Sequence, residues 1–131
     1  MEVQDMLVKA YKDVKTEIGN DLSYLGMRIN MREGDVVISM NEYALDVLAY
    51  YPDVRNYIRP ATADIYETKE TEMLTEDKKK EFHSTTIKLF YLAKRVRPDI
   101  LFAVQFLRTR VKSPDAEDWR KLMRGIGYLN V

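Results

Sequence analysis

The chain has 131 residues, of which 46% are hydrophobic and 32% are charged. These values are typical of one ordinary globular domain and exclude an intrinsically disordered chain, and the length is short for a two-domain enzyme. With no cysteine, disulfide bonds and cysteine-based zinc sites are excluded as well. No stretch approaches the roughly 18 apolar residues of a membrane span, and no secretory signal opens the sequence. We therefore expect no membrane partner and an intracellular protein, cytoplasmic or nuclear and not secreted.

The net charge of zero conceals an uneven distribution of charge along the chain. Residues 1–77 contain 16 acidic and 8 basic residues, whereas residues 78–131 contain 13 basic and 5 acidic residues. Such asymmetry indicates either a polyanion-binding segment in the basic half or two halves that complement each other within one fold. The charge pattern favours neither alternative.

The first predicted element is an amphipathic helix over residues 3–18. Its apolar residues recur at three- and four-residue spacings, which places them on one helix face, and Gly19-Asn20 supplies a stop signal. The apolar stripe consists of Val3, Met6, Leu7, Ala10, Tyr11 and Val14.

A β-hairpin is predicted next. Leu25, Met27 and Ile29 alternate with polar residues, which is the pattern of a half-buried strand. The sequence Arg-Glu-Gly-Asp at residues 32–35 supplies the turn into a second strand over residues 36–39. We expect the edge of this hairpin to be exposed and to promote dimerisation.

A capping box formed by Ser39 and Glu42 predicts the start of a second helix, because each side chain can accept a hydrogen bond from an unpaired backbone N–H group. This helix is predicted over residues 41–51, and Pro52 stops it. Residues 52–74 lack a sustained periodicity and predict an extended connector with a turn of helix near residues 54–58. The sequence leaves the order of this connector open.

The remainder of the chain predicts three further helices. Thr75 caps a third helix that ends near Val96 and is largely buried toward its C-terminal end. Pro98 begins a fourth helix and Ser113-Pro114 a fifth. The stripe of the third helix consists of Phe82, Ile87, Leu89, Phe90, Tyr91, Leu92 and Val96. The predicted fold class is α+β and mainly α, with an N-terminal helix and β-hairpin followed by a helical bundle in one folding unit.

Residue types that carry enzyme chemistry are sparse in this sequence. His83 is the only histidine, which excludes a multi-histidine metal site and favours a surface or capping role. Glu42 and Asp46 stand four residues apart on one helix face, where a solvated surface is favoured over a shared cation. Glu117 and Asp118 complement the dipole of the fifth helix in its first turn. We therefore predict neither a catalytic residue nor a metal ligand in this chain.

Several local patterns do stand out by their order. The segments YLGM (24–27) and ISMNEY (38–43) flank the predicted strand pair, and YLAKRVRPDILFAV (91–104) precedes Pro114, Trp119 and Tyr128-Leu129. Along nearly its whole length the chain resembles copia-type retrotransposon reverse transcriptases. The corresponding family patterns are an aromatic-Leu-Gly hairpin leading into a Ser-x-x-x-Tyr helix, a Tyr-Leu-x-x-x-x-Arg-Pro-Asp-Ile-x-x-Ala-Val segment, and a C-terminal Pro, Trp and Tyr-Leu at matching spacing. One departure is Ile87, where many members carry a small residue.

The resemblance implies that the chain is the end of the palm and the thumb of an RNA-directed DNA polymerase. Residues 1–51 would be the end of the palm with a primer-grip-like hairpin and the first thumb helix, residues 52–74 a connector, and residues 75–131 the helical thumb bundle. The upstream palm and fingers and a downstream ribonuclease H region of a polyprotein are the implied partners. The family binds two magnesium ions between a palm aspartate and a Tyr-x-Asp-Asp turn, and this sequence contains no Asp-Asp pair. We expect this chain alone to be inactive and to hold no cofactor, with magnesium bound elsewhere in the full-length polymerase.

The resemblance also implies contacts with an RNA/DNA template-primer duplex. Tyr24, Leu25, Gly26 and Met27 would form the primer grip, with Gly26 allowing the backbone to approach the terminal phosphodiester. Leu25 or Met27 would pack the hairpin onto the palm. The alternative is that Gly26 marks a bulge in an ordinary hairpin.

In the helical half, two basic clusters would contact duplex phosphates. They are Lys94, Arg95 and Arg97, and Arg108, Arg110 and Lys112. About half of the six are expected to lie on faces that touch no nucleic acid. Asp99 is expected to pair with Arg97 or to cap the fourth helix.

Two other functions stay open at this point. The chain is compatible with a stand-alone helical protein-interaction module, for which its nine tyrosines could supply interface anchors. It is equally compatible with an inactive retroelement relic, which would carry the same sequence patterns.

Overall fold

Two compact units, Met1–Ser39 and Met40–Val131, make up the chain in this computed structural model, which describes residues 2–11 and 16–130. Their elements follow the order of one helix, three strands and four further helices. The predicted fold class is confirmed, because a mainly α architecture carries an N-terminal helix and an antiparallel hairpin ahead of the helical bundle. In the part of the chain that is described, no helix is both long enough and apolar enough to cross a membrane.

Helix α1 spans Glu2–Ala10 and is shorter than predicted. Residues 16–18 are not helical, so the prediction of a helix up to residue 18 is wrong at its C-terminal end. Residues 12–15, which include the predicted stripe residue Val14, lie outside the described residues. The side chains of Val3 and Met6 are each 69% exposed. Packing therefore adds little to the stability of α1, and an unpacked helix of 9 residues is only marginally stable.

The sheet of the first unit is a meander of three antiparallel strands. They are β1 (Asp21–Tyr24), β2 (Met27–Arg32) and β3 (Asp35–Ser39), in the order β1-β2-β3. The predicted hairpin is confirmed in β2 and β3, which join through a two-residue turn at Glu33-Gly34. Leu25, predicted in the first strand, lies instead in the turn between β1 and β2, and β1 extends the hairpin by a strand. Gly34 has a φ of +81°, the left-handed conformation that glycine adopts without a steric penalty.

Helix α2 spans Asn41–Ala49 and begins without the predicted capping box. Its N-terminal capping position is Met40, and no side chain caps it. The prediction is wrong because Ser39 is the last residue of β3, where it pairs with Arg28, and the helix starts one residue later than a Ser39 cap would require. The helix also ends before the predicted limit of residue 51. It belongs to the unit Met40–Val131.

Helix α3 spans Glu76–Arg95, in agreement with the predicted limits. The hydroxyl of Thr75 accepts a hydrogen bond from the backbone N–H of Lys78 at 3.3 Å and so caps the helix. Acidic residues in its first turn and basic residues in its last turn complement the helix dipole. Ile87, in the middle of the helix, belongs to the predicted apolar stripe but is 51% exposed.

Two helices follow the end of α3. A single turn of 3₁₀ helix at Pro98–Ile100 leads into α4 (Leu101–Thr109), and α5 spans Ala116–Leu129. Helix α5 begins at a capping box that the sequence analysis missed, in which Asp115 and Asp118 each accept a hydrogen bond from the other's backbone N–H.

The core of the second unit lies where α3 meets α2, α4 and α5. Periodic apolar positions on these helices point at one another and exclude water, which supplies most of the free energy that holds the bundle together. The largest buried apolar side chains are Phe82, Leu89, Leu92, Ile100, Val104, Leu107, Leu122 and Ile126.

The connector of residues 52–74 is attached along α5. Residues 54–58 are not helical, so the predicted turn of helix is wrong there. Tyr57 instead donates its backbone N–H to the carbonyl of Gly127, and the buried ammonium group of Lys121 donates to the carbonyls of Ile65 and Glu67 at 2.8 and 2.7 Å. Nearer its end, Met73 bridges to Asp115. Hydrogen bonds to α5 and to the residue before it thus satisfy several backbone groups of the connector.

Candidate nucleic-acid interface

The predicted primer-grip residues lie at the tip of the β1–β2 hairpin. Tyr24 and Met27 are the last pair of the two strands, and Leu25 and Gly26 form the two-residue turn between them. Both turn residues have positive φ, +49° for Leu25 and +82° for Gly26, as in a type I′ turn. Gly26 is therefore required by the turn itself, which is a different role from the bulge that the sequence left open.

Leu25 is the unusual residue of this turn. A left-handed backbone costs a non-glycine residue about 1–2 kcal/mol, and type I′ turns favour asparagine, aspartate or glycine at this place. The side chains of Leu25 and Tyr24 are each 61% exposed. The tip of the hairpin thus exposes the side chains of Tyr24 and Leu25, and the left-handed backbone of Leu25 carries a conformational cost.

The first basic cluster lies at the C-terminal end of α3. Lys94 is exposed, and its ammonium group lies 5.2 Å from the centre of the Phe90 ring. The guanidinium group of Arg95 is stacked 3.6 Å above the ring of Tyr91 and also donates to the Tyr91 carbonyl. Both cations are held near aromatic faces while they stay accessible to an external phosphate.

The second basic cluster lies at the C-terminal end of α4. Arg108 is exposed, lies 3.8 Å over the same Phe90 ring, and donates to the side-chain oxygen of Gln105. Lys112 is exposed in the turn that follows. Phe90 is thus shared by Lys94 and Arg108, two cations that come from different helices. The sequence pattern places Phe90 on the apolar stripe of the third helix and gives no sign of this role.

Two of the six predicted basic residues form ion pairs within the protein. Arg110 donates its Nε to both carboxylate oxygens of Asp118, at 3.2 and 3.0 Å, and lies 3.7 Å from Asp115. Arg97 forms a two-point hydrogen bond with Asp99. Lys94, Arg95, Arg108 and Lys112 remain as the exposed cations of the two clusters.

Asp99 connects three parts of the second unit. It accepts hydrogen bonds from Arg97 at 3.0 and 2.9 Å and from the hydroxyl of Tyr128 at 2.7 Å, which confirms its predicted pairing with Arg97. The bond from Arg97, supported by that from Tyr128, lowers the pKa of Asp99 to about 2. Its negative charge therefore serves to hold the ends of α3 and α5 together.

Replacing Asp99 with asparagine is expected to flatten the dependence of stability on pH in acid. The folded-state pKa lies below the usual 3.8, so the carboxylate stabilises the fold above pH 3.8, and this stabilisation is lost as the pH falls toward about 2. Urea unfolding of the native chain and the Asp99→Asn variant across this range gives the two free energies of unfolding. Asp46→Asn, at an exposed position of α2, is the control. Parallel curves for the native chain and Asp99→Asn would contradict the assignment.

A groove of about 550 Å³ runs between α3 and α4 beside the shared Phe90 ring. Its lining contains apolar, polar and cationic side chains and no acidic one. His83 lies in this lining and is exposed, which confirms its predicted surface position. The lining residues are His83, Ile87, Phe90, Gln105, Arg108, Thr109 and Val111.

Charge over this part of the chain is strongly one-sided. Residues 82–114 contain seven lysine and arginine residues and a single acidic residue, Asp99. Since Asp99 is paired with Arg97, the exposed ends of α3 and α4 carry an excess of positive charge. A surface of this kind attracts polyanions.

Comparisons with known proteins add no assignment to these observations. No protein-family model matches the chain. The curated proteins and the solved structures likewise give no match.

Proposed function

We propose that this chain is the palm-end hairpin and thumb portion of a copia-type retrotransposon reverse transcriptase, and that it binds the template-primer duplex without carrying the catalytic aspartates. The observation that carries the binding function is the acid-poor surface of residues 82–114, on which Lys94 and Arg108 share one aromatic ring. Sequence-independent duplex binding depends on lysine and arginine that face phosphates, and the exposure of these side chains supports such a role.

Contacts between the separate motif blocks support the family part of the proposal. Tyr43 of the hairpin-to-helix block packs on Tyr91 with ring centres 5.3 Å apart. Tyr128 of the C-terminal block donates its hydroxyl hydrogen to Asp99 of the Arg-Pro-Asp block. Residues that the resemblance selects from distant parts of the sequence therefore pack together as parts of one fold, which chance matches to unrelated motifs would not require.

The hairpin tip suits the holding of a primer terminus. Its backbone is fixed by the type I′ turn at Leu25-Gly26, and Gly26 has no side chain to obstruct a phosphate. A polymerase needs the primer end positioned with small tolerance, which a rigid two-residue turn provides better than a long loop. In this proposal Tyr24 and Leu25 contact the sugar of the terminal nucleotide.

The expected result for the double variant Lys94→Gln/Arg108→Gln is weaker binding to a short RNA/DNA hybrid duplex with a shallower dependence on salt. Each lost phosphate contact lowers the slope of log affinity against log salt by about 1. Fluorescence anisotropy at several salt concentrations measures both quantities, and far-UV circular dichroism verifies folding.

The matched control for this experiment is Arg59→Gln/Lys69→Gln. It removes the same charge from two exposed positions of the connector, outside residues 82–114. We expect its affinity and salt slope to stay near those of the native chain. Equal losses in both double variants, or no binding by the native chain at low salt, would contradict the proposal.

A second candidate function is a protein-interaction module, and the groove between α3 and α4 favours it. Ile87 is half-exposed there beside Phe90 and Arg108, so an amphipathic helix with apolar and acidic side chains would fit. Binding of this kind depends mainly on apolar burial and changes little with salt. Ile87→Ser would weaken a peptide partner strongly and a nucleic-acid duplex only slightly, which separates the two functions.

A further inference from the structure

Strand β3 forms one outer edge of the sheet, and its central residues are apolar and exposed. Val36, Val37 and Ile38 are 62%, 39% and 47% exposed. In the described part of the chain, β3 has one partner strand, β2. Edge strands are usually protected against further pairing by charged residues or proline, and residues 36–39 contain neither. The edge is therefore an open template for another strand.

The hairpin register determines which backbone groups of β3 point outward. Arg32 and Asp35 flank the two-residue turn, so they form the hydrogen-bonded pair that closes it, and the pair type alternates from there. Asn30 and Val37 are then hydrogen-bonded, and the backbone groups of Val37 point toward β2. Those of Val36 and Ile38 consequently point to the free side of the sheet.

We propose that β3 pairs antiparallel with β3 of a second copy of this chain, with Val37 on the two-fold axis. In this register Val36 lies opposite Ile38 of the second copy, and their outward-pointing backbone groups exchange both hydrogen bonds. Val37 faces its own counterpart in a non-hydrogen-bonded pair. All 5 residues of the strand are paired, whereas a shift of two residues in either direction would leave two of them unpaired.

Charge and shape also fit this self-pairing. Asp35 lies opposite Ser39 of the second copy, so no two like charges face each other across the new strand pair. The three central positions are β-branched residues, which pack well against one another across strands. The opposite edge, β1, begins with Asp21, which is paired with Arg28, and offers no comparable apolar run.

The exposed apolar surface of the first unit supplies a driving force for dimerisation. Every described side chain of residues 3–11 and 16–39 is exposed or half-buried, so this unit covers little of its own apolar surface. A small sheet gains stability when more strands or a second apolar layer join it. Pairing through β3 would unite the two copies in one continuous sheet. It does not depend on the proposed nucleic-acid function.

Single-cysteine variants test the register cleanly, because the native chain contains no cysteine. In a non-hydrogen-bonded antiparallel pair the Cα atoms lie about 4.5 Å apart, within the range of a disulfide. Val37→Cys should therefore link two copies on mild oxidation. Val36→Cys is the matched control, since its own counterpart lies diagonally about 7–8 Å away, beyond easy disulfide reach. We expect Val37→Cys to cross-link at least about tenfold faster than Val36→Cys.

Sedimentation equilibrium completes the test. We expect the native chain to dimerise in the micromolar range and Val37→Lys to be monomeric, because two lysines would then face each other on the axis, while its far-UV circular dichroism stays native. The proposal is overturned by a native chain that stays monomeric at high micromolar concentration, by equal cross-linking rates in the two cysteine variants, or by a Val37→Lys variant that dimerises like the native chain.

Discussion

Replacing Gly127 with alanine is expected to lower the free energy of unfolding and to release part of the connector. A Cβ atom at this position would lie 2.2 Å from the backbone carbonyl oxygen of Arg55 and 2.7 Å from Cδ2 of Tyr57. No side-chain rotation relieves a clash with a carbonyl oxygen, so the connector must move away from α5. Overpacking of this kind costs about 3 kcal/mol, of which the better helical propensity of alanine offsets about 1 kcal/mol.

Release of the connector would also break the contacts that attach it near Gly127. Three contacts depend on this close approach. They are the backbone hydrogen bond from Tyr57 to Gly127, the packing of Arg124 over the Tyr57 ring at 4.3 Å, and the side-chain hydrogen bond from Asn130 to Asn56. Amide hydrogen exchange of residues 54–57 measures the local effect, and urea unfolding measures the global one. We expect faster exchange there together with a lower midpoint.

Gly125→Ala is the matched control on the same helix. No atom lies within 4 Å of a Cβ added at Gly125, apart from the neighbouring backbone of the helix itself. Alanine there should stabilise α5 by about 1 kcal/mol through helical propensity. If both glycine variants shift stability in the same direction, the close approach of the connector at Gly127 is not what requires glycine.

Asp118→Ala is expected to be the second strongly destabilising change. The carboxylate of Asp118 is buried, accepts the backbone N–H of Asp115 at 3.0 Å, and pairs with Arg110. Its removal leaves a buried N–H without an acceptor and a half-buried guanidinium without its main partner. Breaking a buried pair from one side costs about 3–5 kcal/mol, and loss of the capping box adds to this.

The neighbouring Glu117→Ala variant isolates the effect of burial. It removes the same charge from the same helical turn, but Glu117 pairs with Arg120, which is exposed. The Glu117 side chain is itself 14% exposed, but its partner is open to solvent, and such a screened pair contributes less than about 1 kcal/mol. Thermal and urea unfolding of the two variants should therefore differ clearly. Similar losses would show that helix-dipole charge, and not the buried network of Asp118, is what stabilises the start of α5.

The pairing of Arg110 with Asp118 shows which contacts of the basic clusters the sequence alone cannot predict. A spacing pattern identifies Arg110 as one of several cations at the end of α4, and it equally identifies Asp118 as an acid in the first turn of α5. Their pairing depends on how α4 and α5 are packed, which is a property of the folded bundle. Lys94, Arg108 and Lys112 have the same local signature as Arg110, and only the structure separates them from it.

Local interactions explain which elements the amino-acid sequence by itself determined. Thr75 and Pro98 mark the limits of α3, and the Glu33-Gly34 turn marks the hairpin, because caps and tight turns act within about four residues of sequence. The fold class follows from these local signals and from the periodicity of the apolar residues. The predicted pair of Asp99 and Arg97 belongs to the same group, since the two residues are neighbours in the chain.

Tertiary structure decided the features that depend on residues distant in sequence. The connector has no periodicity of its own. It is ordered by hydrogen bonds with α5, in which Lys121 donates to the carbonyls of Ile65 and Glu67 and the carbonyl of Gly127 accepts the backbone N–H of Tyr57. Phe90 lies on the apolar stripe of α3, yet the approach of α4 turns it into the ring shared by Lys94 and Arg108. Ser39 has the spacing of a cap, but it is paired with Arg28 in the sheet and does not cap the helix. In each case a long-range contact outweighs a local preference worth about 1 kcal/mol or less, and only the packed chain shows which contact forms.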